Sequence, residues 1–130
     1  MPRTTFLRGH ELVNVAGESH YQDALHTIVG VIEGEVRQDA TAHLLPEPDN
    51  AHDPNAVRVE IEGSKVGYLP RDSAAEYATG LARIAARGRM PACEALIAGR
   101  GGLGTSLLGV FLRLPPADDR SLHEDPSRRL

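Results

Sequence analysis

The strictest alternation in the chain lies at Ala56–Glu62, where Val57, Val59 and Ile61 fall on one side of an extended backbone and Arg58, Glu60 and Glu62 on the other. That is the pattern of a strand with one dry face. Gly63-Ser64 follows as a tight hairpin signal, and Lys65–Leu69 reads as the returning strand. Pro70 then opens a helix to about Arg87, with Ala74, Tyr77, Ala78, Leu81 and Ala85 as its apolar stripe and Gly88 as its cap. Gly80 inside that helix costs roughly 1 kcal/mol relative to alanine. Upstream, Glu11–Ala16 alternates as a strand ended by Gly17. Tyr21, Ala24, Leu25 and Ile28 give a short amphipathic helix over Tyr21–Val29, closed by Gly30. Ala42–Leu45, Ala92–Ala98 and Ser106–Leu114 read as further strands, whereas 31–40 is polar and carries no decisive pattern.

Residues 1–9 have no sustained periodicity and are expected to be flexible or to lie along an edge. Residues 115–130 are polar and interrupted by proline, the composition of a disordered tail. One domain, 10–114, remains between them. About six short strands in hairpin order, with two helices, predict a mainly β fold: a small, partly closed β-barrel with the helices at its side or end.

Composition narrows the chemistry. The 130 residues suffice for a single core, and no apolar run approaches a membrane span or a signal peptide. A lone cysteine, Cys93, excludes a disulfide framework and fits a reducing cytoplasm. The net charge of −4 argues against a general nucleic-acid coat, but it is unevenly spread. Residues 1–64 hold four basic and eleven acidic side chains, and residues 65–114 hold seven basic and three acidic ones. One basic face is compatible with that split; so is a helix that simply carries arginines on its wet side.

Catalytic signatures are weak. Gly99–Gly104 has the spacing G-x-G-x-x-G, but a dinucleotide site needs a helix after it, and the sequence continues as a strand, so a glycine-rich hairpin loop is the better reading. Ser19-His20 lacks a nucleophile elbow. No His-x-x-x-His or Cys-x-x-Cys pair occurs, and no metal or cofactor is expected. A metal-dependent nuclease built on His20, His52 and Asp53 is the weakest of the readings considered. The stretch Glu47–Val57 (EPDNAHDPNAV) is more informative. Its Asn and Asp residues suit Asx-turns, and such a stiff loop would hold His52 and Asp53 rigidly at the rim of a barrel.

Three segments in order, Gly17-Glu18-Ser19-His20-Tyr21, then Pro46–Val57, then Val66-Gly67-Tyr68-Leu69-Pro70-Arg71, resemble the HIRAN domain. The resemblance spans roughly residues 10–114, and D-N-x-x-D-P-N-A-V is its most specific block. It implies a modified OB-like β-barrel. HIRAN domains occur at the N-terminus of Swi/Snf-type fork-remodelling helicases and as free-standing bacterial proteins. The resemblance therefore implies a non-catalytic module for single-stranded DNA at 3′-hydroxyl ends, serving a helicase or nuclease partner in DNA repair. By motif position the DNA-binding residues would be His20, Tyr21, Asn50, His52, Asp53, Tyr68 and Arg71. Aromatic rings would sandwich the terminal base, Asp53 would accept the 3′-hydroxyl, and Arg71 would hold a phosphate. Two features depart from the animal fork-remodelling member. Histidines stand at both ring positions in place of tyrosines, and Ser19 replaces a basic residue. Imidazole stacking belongs at the low end of ~1–3 kcal/mol per base. The alternative is a protein-interaction or regulatory domain that has kept the barrel and lost the DNA site.

Overall fold

The computed structural model describes residues 3–30, 34–101 and 107–123. Among these residues seven strands form one sheet: β1 (Arg3–Leu7), β2 (Glu11–Asn14), β3 (Gly34–Pro46), β4 (Val57–Ile61), β5 (Ser64–Tyr68), β6 (Arg89–Gly101) and β7 (Leu108–Leu114). The helices are α1 (Gln22–Val29), α2 (Arg71–Ala86) and a single turn, α3 (Arg120–His123); a 3-10 turn at Glu18–His20 leads into α1. The order across the sheet is β2-β7-β6-β3-β4-β5, antiparallel throughout, with β1 added parallel to β6. The long β6 carries β3 along one edge. On its other edge β1 and β7 lie end to end, against Arg89–Cys93 and Glu94–Gly99.

The sheet curls until its two ends meet. Ala16, just past β2, exchanges two backbone hydrogen bonds with Tyr68 at the end of β5, at 2.8 and 2.9 Å. Gly67 makes this approach possible: a Cβ there would lie 2.5 Å from Val15 Cγ1 and 2.6 Å from the Ala16 oxygen, and its φ is +149°. Val57, Val59 and Ile61 are fully buried inside the curl, as the alternation predicts. Leu25 and Val29 of α1, and Ala74, Tyr77, Leu81 and Ile84 of α2, complete the core.

Several expectations need correction. The β4–β5 turn is Glu62-Gly63, both at positive φ, one residue earlier than the Gly63-Ser64 signal. Ile84 rather than Ala85 closes the buried stripe of α2. Of the polar stretch 31–40, residues 34–40 belong to β3, whose Glu35, Arg37 and Asp39 face outward while Val36, Ala40 and Ala42 pack inward, and 31–33 lie outside the described residues. Of the two expectations for residues 1–9, flexible or along an edge, the second describes β1, which lies along β6 with Leu7 wholly buried. The tail expected to be disordered is described as far as His123. Tyr77 Oη donates to the Pro115 oxygen at 2.6 Å, and Leu122 packs where a side chain at Gly80 would stand. The helix-weakening Gly80 is thus the socket for α3. Of the G-x-G-x-x-G segment, Gly102–Gly104 lie outside the described residues, and the next described element is strand β7.

Candidate nucleic-acid interface

The loop between β3 and β4 is pinched at its neck, where Pro46 pairs with Val57 and the Glu47 N–H donates to the Ala56 oxygen at 2.8 Å. Inside it, Asn50 Oδ1 accepts the backbone N–H groups of His52 (2.8 Å) and Asp53 (3.1 Å), and Asp53 Oδ1 accepts that of Asn55 (2.9 Å). These are the Asx-turns that the composition predicts. Each side-chain oxygen replaces a missing ladder partner, so the loop is fixed by its own polar groups and not by packing. Asp53 Oδ2 faces Arg71 Nε at 3.7 Å, and Arg71 Nη2 donates to the His52 oxygen at 3.1 Å. Arg71 is the first residue of α2, and its side chain remains 76% exposed. Such an ion pair contributes little to stability, which leaves the guanidinium available to a second anion.

β5 supplies the other wall. Glu60 pairs with Lys65 and Val59 with Gly67, so Val66 is an extra residue. This bulge reverses the alternation: Val66 and Gly67 are both buried, and Lys65 and Tyr68, three apart, share the outer face with Arg58 and Glu60. Lys65 Nζ donates to Tyr68 Oη at 2.7 Å, and Tyr68 Oη donates to Glu47 Oε1 at 3.0 Å. Glu47 Oε1 also accepts from Asn50 Nδ2 at 3.0 Å, and Glu47 Oε2 lies 3.4 Å from Arg58 Nη1. Partial burial pushes Glu47 up. The hydrogen bonds from Asn50 and Tyr68 and the charges of Arg58 and Lys65 outweigh it, and the carboxyl titrates below its ordinary value. Lys65 is held above the ordinary lysine value, chiefly by its bond to Tyr68 against the opposing effect of burial.

Between the two walls lies a depression of about 260 Å³, lined by Asn50, His52, Asp53, Tyr68 and Arg71, with Ala56 and Leu69 as an apolar floor. Five of the seven residues expected from the sequence therefore meet at one place. Tyr21 joins from the side, its ring 5.3 Å from Lys65 Nζ, which also lies 4.4 Å from the Tyr68 ring centre. His20 is exposed on the 3-10 turn just before Tyr21, and its link to the depression runs through Tyr21 and Lys65. Among the described residues, no three His, Cys, Asp or Glu side chains gather as a metal site. The arrangement offers an apolar lining, an exposed imidazole, a carboxylate acceptor and a guanidinium within one small volume.

Sequence reading passed over Lys65 and Glu47 as members of this cluster. Strict alternation puts Lys65 and Tyr68 on opposite faces, and only the bulge reunites them. Opposite charges at Glu60 and Lys65 across the hairpin were the available signal.

Comparison with known proteins agrees with the motif order. The profile of the HIRAN domain matches residues 9–95. A solved structure, the HIRAN domain of human HLTF, is 22% identical, with 84% of this chain and 78% of that chain covered at a TM-score of 0.39. No curated protein matches. With two thirds of its length under the family profile, the chain belongs to the HIRAN domain family, a family of DNA-binding modules.

Proposed function

We propose that the depression binds the last nucleotide of a single DNA strand that ends in a free 3′-hydroxyl, and that the protein is a non-catalytic end-recognition module. In this reading His52 and Tyr68 hold the terminal base and sugar over the Ala56–Leu69 floor, and the strand leaves past Tyr21 toward exposed His20 on the 3-10 turn. Asp53 accepts the hydroxyl proton, and Arg71 pairs with the phosphate behind it. The observation that carries the reading is the state of Asp53. Asp53 lines the depression, its Oδ1 accepting from the Asn55 N–H while Oδ2 faces Arg71 Nε at 3.7 Å. A carboxylate repels phosphodiesters, so its presence in a DNA site favours a ligand that brings a hydroxyl.

Hydrogen bonds to charged groups contribute ~1.5–3 kcal/mol, so replacing the hydroxyl by a second anion should weaken binding by about tenfold or more. The test is an anisotropy titration at low salt with a short single strand carrying a 3′-hydroxyl and its 3′-phosphate twin. The hydroxyl form should bind tighter; equal affinities refute end recognition. Absence of binding by either form would favour the interaction-domain alternative. A module of this kind would deliver ends to a helicase or nuclease partner.

A further inference from the structure

We infer that Lys65 is a second phosphate contact, taking the phosphodiester one step further along the strand than the one held by Arg71. This rests on the end-binding reading above and extends it. Arg58 is engaged by Glu47 at 3.4 Å and by Glu60 at 2.9 Å, so its charge is already matched within the protein. Arg71 belongs to the rim beside Asp53. Lys65 differs from both. The ammonium meets Glu47 across the Tyr68 hydroxyl, and the carboxyl feels its charge; that hydroxyl takes one of its three donors and the Tyr21 side chain competes for a second, which leaves a third. Tyr21 and Tyr68 hold the cation without neutralising it, Nζ standing 5.3 Å from the Tyr21 ring centre and beside the Tyr68 hydroxyl, 4.4 Å from that ring's centre. Held this way, the ammonium is preorganised: it stays charged and loses little freedom when an oxyanion arrives, and the resulting bond is charge-assisted. Its position also fixes a direction. Tyr68 lines the depression, and Tyr21 lies beyond Lys65 next to His20. A strand leaving the depression past Tyr68 therefore meets Lys65 before it reaches the 3-10 turn.

The test compares wild type, K65M and K65R with the same 3′-hydroxyl oligonucleotide over a range of salt. K65M keeps the aliphatic stem and removes the charge. Its slope of log affinity against log salt should be shallower by about 0.7, the value for one phosphate contact on single strands. K65R should keep the wild-type slope, and the preference for 3′-hydroxyl over 3′-phosphate should be unchanged in both variants. Neutral methylphosphonate linkages, introduced one at a time, should weaken wild type at one position to which K65M is indifferent. A wild-type slope in K65M, or a K65R slope as shallow as that of K65M, would show that Lys65 only packs against the tyrosines and would overturn the inference while leaving end binding intact. Failure of wild type itself to bind would overturn both.

Discussion

Closure of the curled sheet depends on one missing side chain, and replacing it should be costly. In G67A the new Cβ lies 2.5 Å from Val15 Cγ1 and 2.6 Å from the Ala16 oxygen, and the second contact is with backbone that has no rotamer to change. Overpacking of this kind costs ~1–3 kcal/mol, and an L-residue held at φ +149° adds strain of order 1–3 kcal/mol. Parting the edges instead would forfeit the paired Ala16–Tyr68 hydrogen bonds, worth ~0.5–1.5 kcal/mol each. Whichever relief the chain adopts, we expect about 2–4 kcal/mol. At a urea slope of about 1.5 kcal/mol/M the unfolding midpoint should fall by roughly 1.5–2.5 M. G63A is the control, because Gly63 also has positive φ but open space around it, and should lose only about 1 kcal/mol. Since Tyr68 follows Gly67, G67A should also bind DNA more weakly under conditions where it remains folded. Equal midpoints for G67A and wild type would refute the closure.

Other outcomes follow from the same geometry. D53N should reduce the preference for a 3′-hydroxyl over a 3′-phosphate toward unity while leaving the melting temperature close to wild type, as measured by paired titrations and thermal unfolding. L122A, which empties the socket over Gly80, should destabilise by about 2–3 kcal/mol in urea without changing DNA affinity. Glu47 has a folded-state value below its unfolded one, so its contribution is complete above the unfolded value near 4.5 and is lost as pH falls through the folded value; E47Q should flatten this acid limb of a stability–pH profile. Cys93, fully buried and pushed up to about 12 by burial and then by the Glu94 charge, should resist thiol reagents in the native protein and react on unfolding.

The elements legible in the sequence are those with a wet face and a dry face of contrasting chemistry. The Val57-Val59-Ile61 alternation and the Ala74-Tyr77-Leu81 spacing describe β4 and α2 almost to the residue. The first half of β3 was hidden because its inward residues after Val36 are small or polar, so the alternation has little contrast. β1 was hidden for a different reason. Its partner β6 lies more than eighty residues away, and a five-residue parallel pairing leaves no local signature. At the site, Asn50, His52 and Asp53 were found because turn chemistry and motif order coincide in one loop. Lys65 and Glu47 were not, because their partnership depends on a bulge and on the Tyr68 hydroxyl that joins β5 to the loop after β3. Gly80 shows the converse: a residue that weakens a helix in isolation is explained once Leu122 is seated over it.

Backbone amide shifts on titration with a short single-stranded oligonucleotide probe the proposed interface most directly. The account predicts that the perturbed amides cluster at Asn50, His52, Asp53, Tyr68, Leu69 and Arg71, with a weaker trail through Lys65 to Tyr21 and His20. Perturbations centred instead on the outer face around Phe6, Arg8 and Arg113, or none at saturating oligonucleotide, would contradict it.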